Sequence, residues 1–294
     1  MDLQSMRFFV TTADTGSFSA AAEALSYAQS NLSSRVKQLE GELGEPLFYR
    51  HRKGVTLTVK GKLFYDYAVK LLRLSEEAVN MVKNMDEPKG EIKIGSLEAM
   101  VLEDLPELLS AYHGLYSEVK LSLHTDMNAR LGELVLNREL DGAFIAGPTL
   151  NAEFMEVPFS TKHLILVGSS KGEAVPVETI LAEAPIITFP EGSIFRNRLE
   201  LLLASRSLTF YNRIHEMNSL SANIANICAG IGYGYLPRST VSSFITQGLM
   251  REYELHDPYS EFNVVFVYRR DRIMDAAFLR FLETLQAYRV QNLT

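Results

Sequence analysis

Along the first eighty residues, apolar positions recur at helical spacing. Leu3, Met6, Phe9 and Val10 make one face that stops at Gly16, a residue suited to a helix C-terminus. Ser17 is placed to cap a short second helix, SFSAAAEAL, whose alanines permit close helix approach. After the turn LSY, the run AQSNLSSRVKQLEGELG carries Leu32, Val36, Leu39 and Leu43 as an apolar stripe and ends at Gly44. In EPLFYRHRKGVTLTVKG, Leu47 and Phe48 are anchors, residues 50–54 a tight basic turn and residues 55–57 a returning strand. That is the pattern of a wing; a simple charged hairpin is the plainer reading. A long helix capped by Thr58 then runs toward Met85, on the order of 40 Å at 1.5 Å per residue. Its Leu63, Tyr67, Leu71, Leu74, Ala78, Met81 and Met85 fall at spacings of four or three, a seam for another helix. That partner is a second copy of the chain or the protomer's own core. Residues 86–90 (DEPKG) break the pattern and mark a hinge.

From residue 91 the pattern switches to alternating strands and helices. The strand-like runs are EIKIGS, VKLSLHT, LDGAFIAG, HLILVGSS, PIITF, GYGYLP and NVVFVYRR. Between them lie VLEDLPELLSAYHGL, NARLGELVLNREL, VETILAEA, IFRNRLELLLASR, SLSANIANICAGI and DAAFLRFLETLQAYRV, each helical in spacing. Such alternation predicts mostly parallel sheets covered by helices.

Composition narrows the class. A chain of 294 residues exceeds what one core usually serves, so two or more domains are expected. No run approaches the ~20 apolar residues of a membrane span, and the N-terminus does not resemble a signal peptide. The expectation is a cytoplasmic protein without a membrane partner. The single cysteine, Cys228, excludes an intramolecular disulfide and a cysteine-cluster metal site. A net charge of −7 argues against nucleic acid only if the chain is taken as one object. Between Arg35 and Lys62, seven cations (Arg35, Lys37, Arg50, Arg52, Lys53, Lys60, Lys62) face only Glu40, Glu42 and Glu45. A local basic patch binds phosphate on an acidic protein because salt screens charges beyond about 10 Å.

The third helix carries the candidate chemistry. Gln29, Ser33 and Lys37 lie one turn apart, with Ser30, Asn31, Ser34 and Arg35 beside them. Short hydroxyls, amides and cations near a helix N-terminus suit base edges and phosphates in a major groove, although an isolated helix would show the same polar face to water. Arg50, Arg52 and Lys53 in the wing are placed for phosphate or the minor groove, and Ser17 joins them as a DNA-contacting candidate.

The segment from Phe8 to Gly61, with SFSAAAEAL, QSNLSSRVKQLEGELGEPLF and LTVKG, resembles the LysR-type transcriptional regulators. One departure is Ala28, where the family usually carries a Ser or Thr cap on the recognition helix; its absence weakens the cap by ~1 kcal/mol. The resemblance implies an α+β multi-domain fold: a winged helix-turn-helix (1–58), a linker and dimerisation helix with hinge (59–90) and an effector-binding domain (91–294). It also implies that the last part forms two α/β subdomains like a periplasmic binding protein, subdomain I at 91–161 and 267–294 and subdomain II at 162–266. The implied partners are a double-stranded DNA operator, a small-molecule effector, a second or further copies as homodimer or homotetramer, and RNA polymerase.

In open α/β sheets ligands bind beyond the carboxyl ends of strands. Four places meet that rule: Ser96-Leu97-Glu98, Gly147-Pro148-Thr149, the turn with Gly192 and Ser193, and Asn218-Ser219. In the family these places line the cleft between subdomains. Ser96, Ser193 and Ser219 read equally as helix caps. Helix N-termini and an inward Arg196 would favour an anion; inward Glu98 and Glu191 would oppose one, so the effector's charge stays open.

Other classes fare less well. No GxSxG elbow, HExxH or P-loop is present and the six histidines are scattered, so no catalytic residue, metal site or cofactor is expected. GIGYGYLP lacks the context of a phosphate-binding fingerprint. The peroxide-sensing branch of the family uses paired cysteines, whereas Cys228 stands alone in an apolar segment and reads as a buried structural thiol. A solute-binding protein or an enzyme on the α/β domain without a regulatory role is the alternative reading, and the fused helix-turn-helix counts against it.

Overall fold

The computed structural model describes residues 1–83, 87–149, 151–209, 213–255 and 257–292. Met85 and Asp86, and the side chain of Met81, named above in the seam and hinge, lie outside what it describes. The chain divides into two compact units, Met1–Lys83 and Asn84–Thr294.

The first unit is α1 (Leu3–Thr15), α2 (Phe18–Ala24), α3 (Gln29–Leu43), the hairpin β1 (Phe48–His51) and β2 (Gly54–Leu57), and α4 (Val59–Lys83). Three of the four helices start at a side-chain cap. The Asp2 carboxylate accepts from Ser5 N at 2.7 Å, Ser17 Oγ from Ala20 N at 3.4 Å, and Thr58 Oγ1 from Gly61 N at 2.9 Å. Gly16 and Gly44 end α1 and α3 in the left-handed conformation. The core joins Phe8, Phe9, Leu32, Val36, Leu39, Leu47, Phe48 and Val55, with the Phe9 ring 5.2 Å from Phe48 and 5.3 Å from Phe64.

Two expectations change at helix ends. Leu3 (46% exposed) and Leu43 (38%) sit in the first and last turns, where the apolar stripe runs past the core, and Phe8 is buried instead. The helix α4 carries two stripes rather than one. Ala68 and Leu72 are buried and Phe64 half-buried in this unit's core, at spacings of four, whereas Leu63, Tyr67, Leu71 and Leu74 remain exposed.

The second unit contains β3 (Gly90–Ser96), α5 (Glu98–Val101), α6 (Leu105–Leu115), β4 (Val119–Thr125), α7 (Asn128–Leu136), β5 (Gly142–Ala146) and β6 (Phe154–Ser169). It continues with α8 (Val177–Glu183), β7 (Ile186–Thr188), α9 (Ile194–Ser205), β8 (Ile214–Glu216), α10 (Leu220–Ala229) and β9 (Tyr233–Pro237). The last elements are α11 (Arg238–Thr246), β10 (Met250–Tyr253), β11 (Glu261–Arg269) and α12 (Ala276–Asn292). The strand order is β4-β3-β5-β11-β6-β9-β7-β8, with β10 also on β6.

The sheet is mixed rather than mostly parallel. Parallel pairs β3–β4 and β3–β5 form one half and β7–β8 and β7–β9 the other. The long strands β6 and β11 are antiparallel to each other and join the halves: β6 pairs with β11 from Phe154 to His163, then with β9 from Leu164 to Val167. The first part of β6, with β8, β10 and α11, escaped the sequence pattern because their apolar runs are short or interrupted by polar residues. The expected single helix from Val101 to Leu115 is broken ahead of α6, which carries Pro106 in its first turn. The last helix packs back on the first half, Tyr112 Oη donating to Ala277 O at 2.9 Å.

Two substitutions test the N-terminal unit. Gly54 has φ of 136°, and a Cβ there would lie 2.3 Å from Gly16 O, which accepts from Val55 N at 2.9 Å. Gly54→Ala is expected to cost roughly 1–3 kcal/mol in urea unfolding of this unit, through strain that pushes the hairpin off α1. Ala28 has N-cap dihedrals but no side-chain acceptor, so Ala28→Ser should add about 1 kcal/mol; no gain would show that another group already satisfies those N–H groups.

Candidate nucleic-acid interface and ligand cavity

The burial of Leu32, Val36 and Leu39 turns the other face of α3 outward. Gln29, Ser30, Asn31, Ser34, Arg35 and Lys37 are exposed and Ser33 is half-buried. Arg35 lies 3.6 Å from Asp2 in an exposed pair. With no side chain capping Ala28, the first N–H groups of α3 add positive partial charge to this polar face.

The hairpin separates the basic residues into two kinds. Arg50 is held in the fold: its Nη2 is 3.2 Å from Glu40 Oε2 and its guanidinium lies 4.9 Å over the Phe18 ring. Glu40 also accepts from Leu47 N and Phe48 N, so it ties α3 to β1 and offsets the Arg50 charge. Arg52 and Lys53 occupy the two-residue turn between the paired His51 and Gly54, exposed and without an ion-pair partner among the described residues. Ser17 is half-buried, with its hydroxyl engaged as the α2 cap.

In the second unit, the carboxyl ends of β3, β4, β7 and β8 converge on a cavity of about 340 Å³. Leu97 and Glu98 line it after β3, and Thr125, Asp126, Met127 and Asn128 after β4. From the other half come Phe189, Pro190, Ser193, Ile194, Phe195 and Asn218. Asn128 fixes the α7 end of the wall by donating to Ala146 O and accepting from Ala146 N. Glu98 reaches across the cavity: its Oε2 accepts from Leu220 N at 2.9 Å, the first residue of α10, while Ser219 Oγ accepts from Ala222 N at 3.2 Å.

The sequence placed several residues here and several nearby. Leu97, Glu98, Ser193 and Asn218 line the cavity. Ser96 does not; it is fully buried, its hydroxyl donates to Leu97 O, and the residue at the cap of α5 is Leu97. Gly147 and Pro148 are off the lining too, and the neighbouring Thr149 is engaged with Glu156. Gly192 makes the left-handed turn before α9 without joining the wall, and Ser219 is occupied as a cap. Thr125, Asp126, Met127 and Asn128 were missed, although the carboxyl-end rule applied after VKLSLHT points at them. Arg196 is 4% exposed and surrounded by Glu200 (2.9 Å), Glu216 (2.8 Å) and Glu191 (3.3 Å), so it braces α9. Gly232 of GIGYGYLP is required by close packing, since a Cβ would lie 2.6 Å from Pro185 O. Cys228 is half-buried, and burial pushes its thiol up from the ordinary range.

Where β6 passes between the halves, Lys162 Nζ lies 2.6 Å from both Glu103 Oε2 and Asp104 Oδ2. Ser239 and Thr240, at the start of α11, donate to the same Glu103 carboxylate. This buried cluster fastens the α5–α6 turn of one half to α11 of the other. Among the described residues no group of His, Cys, Asp and Glu could hold a metal ion, and no helix is long and apolar enough to cross a membrane.

Comparison with known proteins matches residues 3–62 to the bacterial regulatory helix-turn-helix protein, lysR family, and residues 85–289 to the LysR substrate binding domain. The HTH-type transcriptional regulator CzcR of Bacillus cereus is 34% identical over 293 residues, all of both chains. GltR of Bacillus subtilis is 34% identical over 282 residues, 96% of this chain and 95% of its own. Among solved structures, full-length CbnR complexed with its target DNA shares the fold with a TM-score of 0.73 at 18% identity, over 98% of this chain and 100% of that one. LysG from Corynebacterium glutamicum with bound effector Arg gives 0.62 at 18% identity, over 99% of each chain.

Removing the lysine from the buried cluster leaves two carboxylates facing each other. Lys162→Met is expected to destabilise the second unit by about 3–5 kcal/mol in urea unfolding; a change below about 1 kcal/mol would mean that the cluster is solvated and holds nothing.

Proposed function

The chain belongs to the LysR family of DNA-binding transcriptional regulators with an effector-binding domain, and we propose which of its residues perform each task. The face of α3 enters the major groove of an operator, with Gln29, Ser30, Asn31, Ser33 and Ser34 near base edges and Arg35 and Lys37 near phosphates. Arg52 and Lys53 at the wing turn hold the backbone; Arg50 contributes mainly by fixing the wing, and Ser17 through the α2 N-terminus. The observation that carries this reading is the exposed polar face of α3 beside two cations without ion-pair partners among the described residues.

The exposed stripe Leu63, Tyr67, Leu71 and Leu74 of α4 pairs two protomers, so that two recognition helices meet two half-sites. The cavity lined by Leu97, Glu98, Asp126, Ser193 and Asn218 takes the effector. Its occupation closes or re-angles the two halves about β6 and β11, and shifts DNA bend and contact with RNA polymerase. The ligand acts only to the extent that it binds one arrangement more tightly. The protein works in the cytoplasm as a regulator and carries no catalysis of its own.

Mobility shift of the full-length protein on fragments of its genomic neighbourhood, across a salt series, tests the interface. Arg52→Ala should weaken binding to every fragment and lower the salt slope by about one. Gln29→Ala should relax discrimination between operator and other fragments; discrimination left intact would place the recognition face elsewhere. Leu63→Glu with Tyr67→Glu should reduce the oligomer to a smaller species in light scattering, and an unchanged mass would remove α4 from the interface.

A further inference from the structure

The cavity is an electrostatically one-sided place. Its described lining holds two carboxylates, Glu98 and Asp126, and no lysine, arginine or histidine. Several of the groups that would draw an anion are already engaged, whereas the N-termini of α7 and α9 carry no side-chain cap. The α10 N-terminus receives Glu98 at Leu220 N and Ser219 at Ala222 N. Arg196, the nearest arginine in sequence to the wall, is shared by Glu191, Glu200 and Glu216. Asp126 Oδ1 accepts from its own neighbour Met127 N at 2.8 Å; its Oδ2 lies 3.5 Å from His124 Nε2, a half-exposed ring outside the lining. A helix N-terminus is worth about half a positive charge, so α7, α9 and α10 together supply about one and a half against two full carboxylates. The balance inside the cavity is negative.

The rest of the wall is apolar and aromatic: Leu97, Met127, Phe189, Pro190, Ile194 and Phe195. The rings of Phe189 and Phe195 lie 5.1 Å apart and offer a face to a cation as well as to an apolar body. We infer that the effector is a small organic cation, a protonated amine whose charge is held by Glu98 and Asp126 and whose apolar body lies against Phe189, Phe195 and Met127. This rests on the reading of the cavity as the effector site. Glu98 then has a second consequence, because its carboxylate spans from the β3 half to α10. An ammonium bound beside it shares the Glu98 carboxylate with Leu220 N–H, so occupation of the cavity changes the strength of a contact that joins the halves.

The test uses the full-length protein and two probes of matched size, 2-phenylethylamine and 3-phenylpropionate, in calorimetric titration and thermal unfolding. The amine should bind saturably at or below the order of 10 mM, the range open to a ligand of about nine heavy atoms, and raise the melting temperature, whereas the acid should do neither. Glu98→Gln and Asp126→Asn keep shape and hydrogen bonding to the backbone; each should weaken the amine about tenfold or more. Asn218→Trp, at an exposed lining position, should abolish amine binding. Tighter binding of the acid, itself lost in Asn218→Trp, would overturn the cation assignment and leave the cavity as the effector site. Amine binding untouched by Asn218→Trp would overturn both. No amine binding to the folded wild type, or an amine affinity unchanged in both carboxylate variants, overturns the assignment as well.

Discussion

The strands Phe154–Ser169 and Glu261–Arg269 pass between the two halves of the C-terminal unit, paired antiparallel from Phe154–Arg269 to His163–Glu261. The middle of the second strand is buried, from Val264 to Val267, while the facing stretch of the first alternates, with Phe154, Phe159 and Lys162 buried. On one flank β5 joins this pair and on the other β9, each leading into a small parallel sheet. A ladder of this kind bends and twists but does not slip, because a one-residue shift would turn Val264 and Phe266 to the opposite face. The two parallel sheets are therefore held at fixed register on a common axis, and their carboxyl ends face one cavity.

The chemistry of that axis differs from the chemistry of the cavity. At the crossing, Lys162 pairs with both Glu103 and Asp104, and two hydroxyls donate to Glu103 as well. In the cavity wall no lysine or arginine pairs with Glu98 or Asp126 among the described residues. Glu98 is satisfied by a backbone N–H across the gap, an interaction that depends on how the halves are set, whereas the Lys162 cluster sits on β6 itself. A stiff axis with a charged, partly satisfied mouth is what a ligand needs to bias one arrangement over another.

Much of this was legible in the sequence, for reasons visible at particular residues. Helices α1 to α3 announced themselves because their caps (Ser17, Gly16, Gly44) and core positions (Phe9, Leu32, Val36, Leu39) lie within a few residues of one another. Ala28 was readable as an uncapped start, and the structure has no side-chain acceptor there. What the pattern did not reveal were contacts made at long range. Arg50 looked like a phosphate ligand until Glu40 and Phe18 came beside it. Arg196 looked like an anion site, but Glu216, twenty residues on, shares it with Glu191 and Glu200. The second stripe of α4, Phe64-Ala68-Leu72, was present as an i, i+4 series but hidden by the longer seam beside it. Asp126 was missed because the strand-end rule was applied to four loops and not to the fifth.

The proposed interface requires that the face of α3 and the wing turn read DNA as a symmetric pair. Footprinting of the full-length protein on its own upstream region measures this directly. Two protected half-sites, separated by one helical turn of about 10 base pairs or a multiple of it, are the expected result. A single half-site, or uniform protection that follows fragment length rather than sequence, would contradict it.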